Sequence, residues 1–106
     1  MLLYDHPLSS YAQKVKIALR EKAIAFEPKL PDSFGTGRQD DDFFAANPRS
    51  EVPVLIDGDV KIFDSTIILE YVEERWPEPS LLPKDPAKRA FARMTEDVCD
   101  TQYEAM

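Results

Sequence analysis

Val52-Pro53-Val54-Leu55-Ile56-Asp57-Gly58-Asp59-Val60-Lys61-Ile62-Phe63-Asp64-Ser65 reads as two short strands, a tight turn between them, and the start of a helix. Val54 to Ile56 and Val60 to Phe63 are apolar runs of strand length. Asp57-Gly58 between them is a dipeptide characteristic of a two-residue hairpin, so the two runs pair antiparallel. Proline has no N–H to give to a ladder, which places Pro53 at the first residue of its strand or in a turn. If the Val52-Pro53 bond is cis, the chain turns sharply, and the N–H and C=O of Val52 face outward, open to an extended peptide as a sheet edge is. Asp64 or Ser65 caps the helix that follows, and the unpaired N–H groups of its first turn suit an anionic group.

Upstream of this stretch, Leu2 to Tyr4 is a short apolar run ended by Asp5-His6-Pro7, a buried strand passing into a loop. Ser9 and Ser10 are good N-cap residues. Tyr11, Val15, Ala18 and Leu19 follow as one helical stripe, with Lys14, Lys16, Arg20 and Glu21 turned away. Ala23 to Leu30 reads as a second strand, with Ile24 and Phe26 facing one way. Strand, helix and strand then form a βαβ unit with parallel strands. Pro31 to Arg38 is a surface loop, and structure resumes at Gln39. Asp40, Asp41 and Asp42 open a short helix carrying Phe43-Phe44-Ala45-Ala46, closed by Asn47-Pro48. The triple aspartate reads as a solvated helix start ahead of a metal site.

Downstream, Ile67, Ile68, Tyr71 and Val72 recur at core spacing along a helix ending near Trp76-Pro77. Pro77, Pro79, Pro83 and Pro86 then mark a linker. A last helix, Ala87 to Ala105, carries Ala90, Phe91, Met94 and Val98 on one side, a stripe that needs a partner surface. It folds back on the first domain, pairs with another copy, or begins a longer helical domain that is cut short here. The expected fold is an α/β, βαβαββα domain with a mixed four-stranded sheet plus one C-terminal helix. The expected division is a domain over 1–76, a linker over 77–86, and a first helix of an incomplete all-helical domain over 87–106.

With 106 residues, 43% of them hydrophobic, the chain suffices for one domain with a true core but not for two complete ones. A formal net charge of -7 disfavours nucleic acid as a partner. One cysteine, Cys99, and one histidine, His6, leave neither a disulfide framework nor a zinc cluster, so no metal is expected and a reducing, cytoplasmic setting fits. The start of the chain has no signal-peptide pattern and no run is long enough to span a membrane. Cys99 is expected to be buried as a small hydrophobe, His6 to hold a loop, Tyr4 and Tyr11 to pack, and Trp76 to cover the end of the core.

Three stretches together resemble the thioredoxin-fold, glutathione-binding domain of the glutathione transferases, of serine type and similar to the zeta and tau classes and bacterial relatives. They are Tyr4-Asp5-His6-Pro7-Leu8-Ser9-Ser10-Tyr11, Asn47-Pro48-Arg49-Ser50-Glu51-Val52-Pro53-Val54-Leu55 and Phe63-Asp64-Ser65-Thr66-Ile67-Ile68-Leu69-Glu70-Tyr71. The resemblance implies glutathione as cosubstrate, a small electrophile as its reaction partner, and a homodimer. It implies that Ser9 is the catalytic residue, donating a hydrogen bond to the glutathione sulfur, with Ser10 as the backup donor. Val52 would pair with the cysteinyl backbone and Pro53 would fix the bend, while Asp64 and Ser65 would take the γ-glutamyl end. The family often places a basic or amide side chain just before Val52, and this chain has Glu51 there, preceded by Ser50 where glycine is usual. Arg38 and Arg49 are the candidates to meet the glycyl carboxylate in its place. A noncatalytic glutathione-binding or interaction module on the same scaffold is the alternative reading.

Overall fold

The computed structural model describes residues 1–36 and 40–103. Its elements run β1 (Leu2–Tyr4), α1 (Ser10–Glu21), β2 (Glu27–Lys29), α2 (Ser33–Thr36), α3 (Asp41–Ala46), β3 (Val54–Asp57), β4 (Val60–Phe63), α4 (Ser65–Arg75) and α5 (Pro86–Val98). The sheet order is β2-β1-β3-β4, with β1 and β2 parallel and the other pairs antiparallel. This is the expected mixed four-stranded thioredoxin-like sheet.

The pleat divides the core in two. Leu3 and Leu55 lie opposite one another and face α1 and α4, packing with Val15, Leu19, Ile68 and Val72, all at 0% exposure. Tyr4 and Val54, the next pair in register, face the other way and pack with Phe43 and Ala46 of α3. Each fully buried aliphatic side chain contributes about 1.5–3 kcal/mol, so these two layers hold the sheet between its helices. Trp76 closes one end, its ring edge-on to Tyr71.

The second strand is shorter than the Ala23 to Leu30 that alternation suggests. Ala23 sits at φ +57 as the residue after the α1 cap, and Ala23 and Ile24 donate to the carbonyls of Arg20 and Leu19. That paired closure spends the first residues of the expected strand on ending the helix. Ile24 and Phe26 still pack against the core, but from a loop. The remaining strand, Glu27-Pro28-Lys29, is exposed at the sheet edge, where a proline and two charges are tolerated and discourage further pairing. An alanine Cβ in the left-handed region costs about 1 kcal/mol. Ala23→Gly is therefore expected to raise unfolding stability by roughly that amount, read as a higher urea midpoint at unchanged slope.

Three further expectations need correction. Lys16 is not turned to solvent: it is buried and donates to Asp5 at 2.8 Å, because its stem lies along the sheet while the carboxylate waits at the end of β1. Ile67 is 52% exposed, since α4 meets the core through Ile68 and Val72, with Tyr71 packed beside them. Asp40 is a buried cap and not a solvated residue: its carboxylate accepts from the N–H groups of Phe43 and Asp32. The hydrogen bond from Asp32, aided by that from Phe43, holds the Asp40 carboxyl below its ordinary range against the opposing effect of burial. Asp41 and Asp42 are exposed, as a helix start in water should be. The loop after Leu30 contains one helical turn, α2, and Arg38 and Gln39 lie outside the described residues.

The last helix folds back on the sheet domain, but not through its apolar stripe. Lys14 of α1 donates to Glu96 and Asp100, each at 2.7 Å, Thr66 donates to Glu96 at 3.0 Å, and the Tyr11 hydroxyl donates to the Asp100 carbonyl at 2.9 Å. Burial opposes the Lys14 charge, yet the hydrogen bonds to Asp100 and Glu96 outweigh it and raise its pKa. Phe91, Met94 and Val98 face outward at 70%, 64% and 45% exposure. After Val98 the helix widens into a π turn, Cys99–Tyr103, and the Glu104 and Ala105 of the expected helix lie outside the described residues. Cys99 is exposed, contrary to the expected burial, because the face that docks on the sheet domain is the polar one.

Candidate functional site

A cleft of about 420 Å³ opens where β3, the start of α4 and the end of α5 meet. Its wall brings together Val52, Pro53, Asp64 and Ser65, four of the six residues that sequence singled out. The Val52-Pro53 bond is cis. Among the described residues, no turn, loop or cap hydrogen bond engages the Val52 backbone. Ser9 and Ser10 are not in the wall; they stand just ahead of Tyr11, which is.

Ser65 opens α4 at 4% exposure, and its hydroxyl has no hydrogen-bond partner among the described residues. That oxygen is not among the fully buried polar atoms left unpaired, so it opens on the cleft with its donor and acceptor capacity free for a ligand. Asp64 occupies the N-cap position but its side chain makes no capping hydrogen bond, so the simple capping role does not describe it. Its backbone lies at φ +76, ψ 121, a sparsely populated region for a residue with a Cβ. The strained residue leaves its carboxylate exposed at the cleft beside the positive end of a helix dipole.

The approach to Val52 is built by Asn47, a residue that sequence reading treated only as a helix stop. At 2% exposure, its amide donates to the Glu51 carbonyl at 2.9 Å and its oxygen accepts from the Arg49 N–H at 3.0 Å. That second bond is an Asx turn, for which Asn47-Pro48-Arg49 was the available signal. Ser50 takes φ +55 in the same turn, which accounts for the glycine otherwise usual there. Arg49 lines the cleft with its guanidinium 5.4 Å from the Phe63 ring centre, and Glu51 lines it too. Asp97, Asp100 and Thr101 close the far side. Nothing local in the sequence marks those three, since only the docking of α5 carries them there.

Ser9 is the N-cap of α1, with φ -85 and ψ 112, and its Oγ accepts from the Ala12 N–H at 3.1 Å. Capping uses a lone pair and leaves the hydroxyl proton free to donate, so cap and donor are compatible roles. Ser10 is exposed in the first turn. His6 holds the preceding loop: its Nδ1 accepts from Leu8 N–H at 3.0 Å and its carbonyl accepts from Ser9 N–H at 2.9 Å.

The family profile described as glutathione S-transferase, N-terminal domain, matches residues 3–80. The chain is 47% identical over 89 residues to glutathione S-transferase Z1 of Arabidopsis thaliana, covering 83% of this chain and 40% of the relative. It is 42% identical over 100 residues to maleylacetoacetate isomerase of Mus musculus, covering 92% of this chain and 46% of the relative. A crystal structure of a glutathione S-transferase from Rhodospirillum rubrum F11 superposes with a TM-score of 0.87 at 39% identity, covering 98% of this chain and 46% of that one. The chain thus spans less than half the length of these relatives.

Proposed function

The chain belongs to the glutathione S-transferase family through its N-terminal domain, and from that premise we propose that it binds glutathione and stabilises the thiolate for attack on a small electrophile. A glutathione-dependent isomerisation uses the same first step, and the likeness to maleylacetoacetate isomerase supports including it. Free thiols ionise near ~8.5, and only the thiolate attacks well, so the protein's task is to favour the anion. In this reading Ser9 donates to the sulfur while α1 points its positive end at it, and Ser10 is the reserve donor. Val52 pairs with the cysteinyl backbone beside Pro53. The γ-glutamyl carboxylate meets Ser65 and the first N–H groups of α4, and its ammonium meets Asp64.

The observation that carries the proposal is the Ser65 hydroxyl, unpartnered among the described residues and open to the same cleft as Val52 and Asp64. Calorimetric titration with glutathione is expected to give binding in the high micromolar range. Ser65→Ala should weaken it about tenfold or more, the usual cost of losing a hydrogen bond to a charged group. Equal affinity in the variant would refute the proposed placement of the γ-glutamyl end.

The proposal includes a sheet domain over 1–76, a linker over 77–86 and a helical extension after it, in a cytoplasmic protein that pairs with a second copy. The exposed Phe91, Met94 and Val98 on α5 support the pairing, because three large apolar side chains on one helix face are a liability unless covered. Light scattering should report a dimer that Phe91→Glu converts to monomer; a monomer at all concentrations for the unaltered chain would remove the dimer from the reading. No helix among the described residues is long and apolar enough to cross a membrane.

A further inference from the structure

We propose that Glu51 is a specificity-determining residue that turns the cleft away from glutathione itself and toward γ-glutamyl-cysteinyl-glycine ligands whose glycyl carboxylate is masked, as an ester or as an amide bearing an amine. This rests on the docking mode proposed above. With the γ-glutamyl end at Ser65, beyond Pro53, a chain paired across Val52 must leave on the Glu51 side. The ligand's far end therefore meets the Glu51 side chain.

Among the described residues, Glu51, Asp64 and Asp97 are carboxylates in the cleft wall without an ion-pair partner, whereas Asp100 is paired with Lys14. Asp64 is matched by the γ-glutamyl ammonium, which leaves Glu51 and Asp97 facing the remainder of the ligand. Arg49 is the one cation in the wall among those residues, its guanidinium 5.4 Å from the Phe63 ring centre, against the two carboxylates of Glu51 and Asp97. Glu51 cannot swing its backbone away, because the buried Asn47 amide holds its carbonyl at 2.9 Å. A free glycyl carboxylate thus enters a locally negative field, an uncharged ester avoids the repulsion, and an appended ammonium gains from it. The same Ser65 hydroxyl that marks the cleft as a binding site is indifferent to this difference, since all three ligands share the γ-glutamyl end.

The test is calorimetry with three probes: glutathione, its glycyl ethyl ester, and its glycyl amide with ethylenediamine. The ester should bind about three- to fivefold more tightly than glutathione, and the amine-bearing amide more tightly still, within the range of exposed charge pairs. Added salt should compress the ranking. Glu51→Gln should bring glutathione and its ester to near-equal affinity. Glutathione binding as well as the ester, or an ester preference that persists in Glu51→Gln, would overturn the selectivity while leaving the docking mode intact. Absence of binding by all three would overturn both.

Discussion

Lys22→Met is expected to destabilise the protein by about 3–5 kcal/mol, the cost of leaving a buried carboxylate without its counter-charge. The Lys22 side chain is 0% exposed, and Nζ donates to Glu73 at 3.2 Å and to the carbonyls of Trp76 and Pro79, each at 2.6 Å. Glu73 in turn accepts from the Leu81 N–H. One ammonium thereby ties the end of α1 to the end of α4 and to the proline-rich segment after it. Removing it leaves a largely buried carboxylate without its counter-charge and two partly buried carbonyls without their donor. The loss is a large part of the ~5–15 kcal/mol that holds a domain together, so urea unfolding should shift to a much lower midpoint. Adding Glu73→Gln to Lys22→Met should recover part of the loss, because a neutral amide needs no counter-charge and still accepts from Leu81. A double variant no more stable than Lys22→Met alone would show that packing of the lysine stem, and not the charge, is what α1 and α4 share.

That lysine also shows where sequence reading stops. Hydrophobic spacing made α1, the hairpin and α4 legible, because Val15, Leu19, Ile68 and Val72 repeat at helical intervals and Asp57-Gly58 fixes the turn between β3 and β4. It gave no sign that Lys16 and Lys22 are interior, since each charge is matched by a partner, Asp5 or Glu73, set by the fold and, for Glu73, 51 positions away. Alternation overextended β2 because Ile24 and Phe26 do face the core, and only the left-handed Ala23 reveals that they do so outside the sheet. The cleft divides the same way. Val52, Pro53, Asp64 and Ser65 lie within a 14-residue stretch whose local pattern is distinctive. Asp97, Asp100 and Thr101 join them through Lys14 and Tyr11, contacts that no local pattern encodes.

Ser9→Gly is expected to raise the ionisation point of the bound glutathione thiol by roughly two units, which corresponds to about 2.7 kcal/mol of lost preference for the thiolate. Glycine is the informative replacement. Ser9 caps α1 by accepting from Ala12, so Ser9→Ala would remove cap and donor together and cost about 1 kcal/mol of stability as well. Glycine is itself tolerated at an N-cap at a cost of only a few tenths, so the folded protein persists while the hydroxyl is gone. Ultraviolet titration of the bound thiolate, run beside urea unfolding, separates the two roles. A thiol that ionises at higher pH in a protein of nearly unchanged stability identifies Ser9 as the donor. An unchanged ionisation point would leave Ser9 as a helix cap alone and pass the donor's role to Ser10, where Ser10→Gly should then produce the same shift. With the ionisation point returned from about 6.5 to the ~8.5 of a free thiol, the thiolate fraction at neutral pH falls about 25-fold in Ser9→Gly, and any conjugation or isomerisation that begins with sulfur attack should slow by a similar factor.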